Sequence, residues 1–255
     1  MKLRLIAALS CVAALGLSGT ATAEAYPVKQ KVLTENGLYR MGKLPKSPCE
    51  EQPVARDDRA AAKRYIGGVM QCLEATWEQY LSENGVRFEG ARLKFVSSGY
   101  CDINPKWDSD SVYCHDARAV VFKLGRSWLD DPSDLWLLHN TATIYAHHVQ
   151  RLVDIVYSVD GQAFYDSQTE RAERVRRYNL QAACLSGAFV KSVWPLEGRS
   201  SRDWKYLLSI VQGDAPGHRS LYGKTANVRL WVGRGFATGD PGSCNTWTAP
   251  AAEVA

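Results

Sequence analysis

The sequence predicts a single mixed α/β (α+β) domain in which a small sheet packs on one long central helix and disulfides staple the chain. Residues 136–154 show apolar positions at helical spacing, whereas 91–97 and 119–122 alternate like strands. Six cysteines follow an apolar leader, as in exported proteins. The half of the chain after the central helix is predicted to be mostly helical.

The N-terminus has the pattern of a secretory signal peptide. An apolar run follows Lys2 and Arg4, and small residues then lead to a cleavage site after Ala23 or Ala25. The run is shorter than the roughly 18 residues that a membrane-spanning helix needs. We therefore expect residues 1–23 to be removed from a protein that is secreted or lies in the periplasm or cell envelope, with no transmembrane span.

Charge and length limit the function classes and the number of domains. Loss of the two basic residues of the leader lowers the formal net charge from +4 to near +2, which argues against nucleic acid as the main partner. No low-complexity linker or internal repeat divides the chain. We predict an extended N-terminal arm over 26–60, one domain over 57–247 and a disordered tail over 248–255.

The six cysteines that remain after the leader predict three disulfides in an oxidising compartment. A thiolate metal site or a nucleophilic cysteine is the alternative, but no C-x-x-C spacing occurs. Six cysteines allow many pairings, and the sequence does not fix one. Positions along the chain favour Cys49 with Cys72, Cys101 with Cys114 across a polar loop, and Cys184 with Cys244.

Apolar residues recur with helical spacing in four further segments: 57–84, 167–193, 203–212 and 225–236. Ser167 begins one of them with a capping box that Glu170 closes. In its first turns Glu170 can pair with Arg174, and Glu173 with Arg177, at i,i+4 spacing. We interpret this charged run as a solvated helix face and not as a basic binding patch.

Four motifs carry a family resemblance. The chain reads YAHHVQ at 145–150, NLQAAC at 179–184, VYCHD at 112–116, and R-x-W-x-x-x-G followed by G-D and C-N-T-W over 229–247. In this order the motifs resemble H-E-x-G-H-H-V-Q, E-L-Q-A-D-C, F-Y-C-P-A-D and R-x-W-x-x-x-G…G-D…C-x-T-F of the neutral zinc metallopeptidases. The resemblance covers about residues 90 to 247 and implies a zincin-like fold with the central helix as the former active-site helix.

Carried over position by position, the resemblance implies that the catalytic site has degenerated. Thr143 stands at the first zinc histidine, Ile144 at the general-base glutamate, Asn179 at the third ligand and Ala183 at the acid of that motif. Only His147 is inherited as a ligand. A zincin needs two imidazoles one helical turn apart, a glutamate base and a third ligand. We therefore expect no cofactor, although zinc is the cofactor of the family.

A rebuilt zinc site would need other ligands, and His115 with Asp116 are the candidates to join His147. His139 cannot share an ion with His147, because eight residues of helix rise about 12 Å whereas ligands of one zinc lie within about 4 Å of each other. His148 points about 100° away from His147 around the helix. In the absence of zinc, a neutral hydrogen-bond cluster over the former site is expected.

The expected hydrogen-bond cluster would join Asn179 to Thr143 and His147.

Outside the motifs, no G-x-S-x-G elbow and no Gly-rich phosphate loop occurs. Eight tryptophans suggest a carbohydrate-binding surface as an alternative, but three of them fall on predicted buried helix faces: Trp77, Trp136 and Trp231.

The leading functional hypothesis is an exported pseudo-peptidase that binds a peptide or protein along the former cleft, against the edge strand of the sheet. An active zinc metallopeptidase with a non-standard ligand set is one alternative. An envelope or extracellular interaction module is another, and it would expose an aromatic or apolar patch away from the cleft.

Overall fold

The computed structural model describes residues 28–130, 134–156, 167–215 and 221–255. The predicted signal peptide and residues 131–133, which precede the central helix, lie outside the described residues. The described ranges contain helices α1 (Lys31–Thr34), α2 (Arg59–Glu83), α3 (Arg126–Leu129), α4 (Asp134–Leu152), α5 (Gln168–Val193), α6 (Ser201–Ile210) and α7 (Thr225–Thr238), and strands β1 (Arg92–Phe95), β2 (Asp110–Cys114) and β3 (Ala119–Lys123).

The sheet has three strands in the order β1-β3-β2, so the structure is mixed α/β and mostly helical, as predicted. Strand β1 runs parallel to β3, and β2 runs antiparallel to it. Because β3 lies in the centre and packs on both faces, four consecutive residues, 119–122, are completely buried. Strand β2 begins inside the segment predicted as a polar loop and forms one edge of the sheet.

Helix α4 is the central element of the described structure. It packs against α2, α5, α6 and the strands β2 and β3, as expected for the predicted central helix. Its buried face carries Leu135, Leu138, Ala142, Tyr145 and Val149, which recur at three and four residues. Neither this helix nor any other helix in the described part of the chain is long and apolar enough to cross a membrane.

Three disulfides connect the described elements, and they are the pairs that chain position favours. Cys49–Cys72 joins the N-terminal arm to α2, and Cys101–Cys114 closes the polar loop onto β2. Cys184–Cys244 joins α5 to the segment after α7. Disulfides of this kind are typical of chains that fold in an oxidising compartment.

The sequence predicts an extended N-terminal arm, but the arm is not extended throughout. Helix α1 and a 3-10 helix at Gly37–Arg40 interrupt it. Leu33 and Leu38 are completely buried, and the Asn36 amide donates to the Val153 carbonyl at 2.9 Å. These short turns have too few residues to show a period, and their stability comes from contacts with the rest of the domain.

The C-terminal tail differs from the prediction of disorder. Residues 251–253 form a 3-10 helix, and Val254 is completely buried. Asn227 on α7 donates its side-chain amide to the Ala255 carbonyl at 2.7 Å. Groups on a distant helix satisfy the backbone of the tail, which local sequence cannot reveal.

The two ion pairs at the start of α5 form as predicted, but the prediction that they lie on a solvated face is wrong. Glu170 pairs with Arg174 and Glu173 with Arg177, and all four side chains are buried. Arg177 also donates to the Thr246 carbonyl of the C-terminal segment. The N-terminal arm and the C-terminal segment cover this face of α5, so its charged groups are hydrogen-bonded within the protein.

Candidate ligand-binding cleft

A cleft of about 430 Å³ lies along α4 and collects the positions that the motifs single out. Its walls come from β2 and the loop before it, α3, α4, α5, the end of α6, the residues around 222 and the start of α7. A larger depression of about 690 Å³ lies between residues 46–51 and the end of α5, but no histidine lines it. The cleft is lined by Thr143, Ile144, His147, Asn179 and Ala183.

His147 is held in one orientation at the wall of the cleft. Its ring stacks on Tyr178 with centroids 4.7 Å apart, and its Nδ1 lies 2.8 Å from Gln150 Oε1. Gln150 Nε2 donates to the Tyr178 carbonyl at 2.9 Å and to Gln181 Oε1 at 2.8 Å. Because a carbonyl only accepts, the amide orientation of Gln150 is fixed, and His147 must carry its proton on Nδ1. Its Nε2 is therefore an unprotonated acceptor.

The hydrogen bonds behind Gln150 form a closed network. Gln181 Nε2 donates to the Tyr39 hydroxyl at 2.8 Å and to the Cys244 carbonyl at 3.3 Å. Trp247 Nε1 donates to Gln181 Oε1 at 3.4 Å, and the Tyr39 hydroxyl donates to the Leu33 carbonyl at 2.9 Å. Backbone carbonyls terminate the network, so no member can reverse without leaving a buried donor unpaired.

Both histidines that line the cleft are neutral at pH 7. Burial lowers the pKa of His147 to about 4, the hydrogen bond that its ring donates to Gln150 opposes this shift, and the charge of His115 lowers the pKa further. Burial also lowers the pKa of His139 to about 4. The Nδ1 atom of His139 lies 3.0 Å from the Ser186 hydroxyl. These two side chains act as polar, uncharged groups.

His148 has a structural role. Its Nε2 donates to the Glu89 carbonyl at 2.6 Å, and its Nδ1 accepts from the Tyr113 hydroxyl at 2.8 Å. Burial lowers its pKa as well. The ring is completely buried and links α4 to β2 and to the segment before β1. It does not line the cleft with His147.

The neutral cluster expected between Asn179, Thr143 and His147 does not form. The Thr143 hydroxyl donates back to the His139 carbonyl at 2.9 Å, one turn earlier on α4. The Asn179 amide donates to the Leu221 carbonyl at 2.9 Å. Helical threonines commonly satisfy their hydroxyl in this way, so the three side chains share a cleft without bonding to one another.

Zinc does not fit the donors that are present. The positions that match the metallopeptidase ligands offer one imidazole, and Ile144 cannot act as a base. Within the described residues, no three His, Cys, Asp or Glu side chains are grouped so that they could hold a metal ion. The set His147, His115 and Asp116 is therefore not assembled. His115 instead packs edge-on against the Tyr113 ring, with centroids 4.8 Å apart.

Aromatic side chains form much of the cleft wall. The sequence pattern does not predict this aromatic wall. Trp77 and Trp231 lie in the core as predicted, whereas Trp136 is only partly buried and faces the cleft. It meets Trp128 edge-on with centroids 5.1 Å apart. Trp107 and Tyr222 lie in segments without a helical or strand period, and Trp128 lies on α3, which is too short to show one. The aromatic wall consists of Trp107, Trp128, Trp136 and Tyr222.

Comparison with known proteins found similar proteins of one name in two strains of Escherichia coli. No family model matches the chain, and no solved structure matches it. The chain is similar to the "Uncharacterized protein YpfJ" of Escherichia coli strain K12, with 26% identity over 243 residues that cover 83% of this chain and 81% of the relative. The protein of that name from Escherichia coli O6:H1 gives the same values. Neither name states an activity.

Proposed function

We propose that this protein is an exported, zincin-like pseudo-peptidase that binds a peptide segment in the cleft without zinc-dependent hydrolysis. The observation that carries the proposal is the convergence of the five motif positions from α4 and α5 on one open cleft. At these positions the residue types provide neither a complete ligand set nor a general base: Thr143, Ile144, His147, Asn179 and Ala183.

The edge strand beside the cleft supports an extended peptide as the ligand. Strand β2 ends the sheet, and its first residues, Asp110 and Ser111, line the cleft. Ser111 also accepts a hydrogen bond from Asn140 of α4 at 3.3 Å, which ties the strand to the helix at this point. An extended peptide that lies along a free strand edge gains main-chain hydrogen bonds and places alternate side chains in adjacent pockets.

The mouth of the cleft exposes apolar surface. Trp107 is 60% exposed, Leu221 41% and Tyr222 49%, and Leu221 is joined to the cleft wall through its carbonyl. Trp107 and Tyr222 line the cleft itself. Contiguous exposed apolar surface around a concave site is typical of a binding region. This location favours ligand binding in the cleft over an interaction module that uses a distant patch.

His147 contributes to the proposed binding as a hydrogen-bond acceptor. Its unprotonated Nε2 belongs to a side chain that lines the cleft, and the hydrogen bond to Gln150 fixes the ring. A peptide N–H can donate to this atom, whereas a neutral imidazole without further ligands does not hold zinc at the affinity of a peptidase site.

The first test concerns metal and turnover. We expect the mature chain, purified without chelators, to contain no stoichiometric zinc and to cleave no member of a broad peptide library in a chelator-sensitive manner. Elemental analysis and mass spectrometry of the digested library measure these two properties. Stoichiometric zinc, or turnover that chelators abolish, would instead establish the active metallopeptidase alternative.

The second part of the test blocks the cleft. Thr143 is partly buried and its hydroxyl bonds only to its own helix, so Thr143→Tyr fills the cleft without removing a long-range contact. Ala75 is exposed on α2 and provides the control Ala75→Tyr. Peptides selected from a displayed random library should bind the control like the original protein and bind Thr143→Tyr about tenfold or more weakly. Equal binding to both variants would place the peptide site elsewhere.

A further inference from the structure

Among the described residues that line the cleft, one side chain carries a formal charge at pH 7. Among the described lining residues, Asp110 is the only Asp, Glu, Lys or Arg. The lining histidines, His139 and His147, are neutral because they are buried. In the part of the chain that the structure describes, the cleft therefore presents a negative charge with no lining Lys or Arg beside it, although the whole chain has a formal net charge of +4.

Backbone amides hold the Asp110 carboxylate in place. Its Oδ1 accepts from the Ser111 N–H and its Oδ2 from the Asn104 N–H, both at 2.8 Å. Lys123 lies opposite Asp110 on β3, but its Nζ donates to the carbonyl of Trp107 at 2.6 Å and to another carbonyl of the same loop. Each carboxylate oxygen has a further lone pair, so the fixed group can accept from a ligand.

Two partly exposed aromatic rings lie near this carboxylate. Trp107 lies in the loop before β2, three residues before Asp110, and also lines the cleft. The pKa of Tyr222 is raised by burial of part of the residue and then by the carboxylates of Asp110 and Asp214, which places Tyr222 within electrostatic range of Asp110. Aromatic faces beside a carboxylate attract a cation through the ring quadrupole and through direct charge pairing.

We propose that the cleft recognises a lysine or arginine side chain of the bound peptide, with its cation paired to Asp110 and packed against Trp107 and Tyr222. This inference rests on the proposed peptide-binding function and adds the chemical class of the ligand side chain. An acidic side chain would meet Asp110 without a compensating cation. An apolar side chain would remove water from the charged carboxylate without supplying a cation, which is costly.

The probes are acetylated hexapeptide amide pools that carry Lys, Arg, norleucine or Glu at one central position and mixed residues elsewhere. Blocked termini remove the terminal charges and all pools share the same mixture at the other positions, so a difference between pools reports the central side chain. Fluorescence anisotropy of labelled pools should show Lys and Arg bound about tenfold more tightly than norleucine, a ratio that corresponds to about 1.4 kcal/mol. Glu should bind more weakly than norleucine.

Variants assign the preference to the cleft. Asp110→Asn should reduce the ratio of Lys to norleucine affinity to near one, whereas Asp102→Asn should keep it. Asp102 is exposed, lies in the same disulfide-closed loop and changes the net charge equally. Trp107→Leu is a second variant at an exposed side chain, and it should lower affinity for the Lys and Arg pools while the circular dichroism spectrum stays unchanged.

Two failures are distinguishable. If the norleucine pool binds as tightly as the Lys pool, and Thr143→Tyr weakens both, the cation inference is overturned and peptide binding in the cleft stands. If no pool binds in a manner that Thr143→Tyr weakens, the proposed function is overturned and this inference falls with it. A Lys preference that survives Asp110→Asn also overturns the inference.

Discussion

At the scale of single residues, Gln150 decides what His147 can do. The amide donates to a backbone carbonyl, so its oxygen must face the ring, and the ring proton is confined to Nδ1. Burial then keeps the imidazole neutral at physiological pH. His147, whose position resembles a zinc-ligand position, is therefore an uncharged acceptor among the residues that line the cleft.

Neutral buried histidines also make stability depend on pH, and we predict that His139→Asn weakens this dependence. In the folded state the pKa of His139 is about 4, against about 6.5 when unfolded. The unfolded chain binds more protons between these pKa values. The contribution of neutral His139 to the free energy of unfolding is therefore fully present above pH 6.5 and is lost as the pH falls toward 4. Removing this group should reduce the slope by up to about 1.4 kcal/mol per pH unit.

Urea unfolding at several pH values between 4.5 and 7 measures this slope for both proteins. Asparagine retains a polar partner for the Ser186 hydroxyl, which limits the structural perturbation. Identical slopes for the variant and the original protein would show that His139 titrates with the same pKa in the folded and unfolded states.

At the scale of elements, α5 and α7 pack through two glycines. A Cβ atom at Gly235 would overlap the Cys184 carbonyl, and one at Gly187 would overlap the Val232 carbonyl. The helices therefore approach backbone to backbone, which places Cys184 near Cys244 and Asn179 of α5 at the cleft wall. Gly233, two residues earlier on α7, has open space where a Cβ would stand.

This contrast gives a prediction with an internal control. Gly235→Ala should lower the free energy of unfolding by about 2 kcal/mol, because the added methyl group must separate the two helices. Gly233→Ala should raise it by about 0.5 to 1 kcal/mol, because alanine loses less backbone entropy in a helix. Urea denaturation of both variants gives the two values. A stabilising effect at Gly235 would refute the close approach of the helices.

At the scale of the whole molecule, disulfides hold the ends of the described chain to its centre. The Cys184–Cys244 bridge spans 60 residues and joins α5 to the C-terminal segment, whereas Cys101–Cys114 spans 13 residues within one loop. A crosslink that closes a longer loop removes more entropy from the unfolded chain. The long bridge should therefore contribute more to stability than the short one.

We predict that replacing both cysteines of Cys184–Cys244 with alanine lowers the free energy of unfolding by about 4 kcal/mol. The same replacement at Cys101–Cys114 should cost about 3 kcal/mol. Equilibrium urea unfolding of the two double variants under non-reducing conditions tests the ranking. A larger loss from the short loop would mean that Cys101–Cys114 acts mainly on the folded state of the loop that carries Trp107 and Asp110.

Local and periodic patterns in the sequence were enough to predict several features of this protein. Helical spacing and caps placed α2, α4 and α5 close to their observed bounds, and chain position favoured the three disulfides. Motif matching named the positions that line the cleft, such as Thr143 and Asn179. These inferences succeed because period, capping and order along the chain are properties of short segments.

Contacts between distant segments, which the folded chain reveals, changed the outcome at other positions. It buried the Glu170–Arg174 pair, ordered the C-terminal tail and fixed the tautomer of His147 through Gln150 and Gln181. It also brought Trp107 and Tyr222, which lie far apart in sequence, to one cleft with Asp110. The physical reason is that burial, hydrogen-bond satisfaction and charge depend on neighbours in space, which the spacing along one segment does not encode.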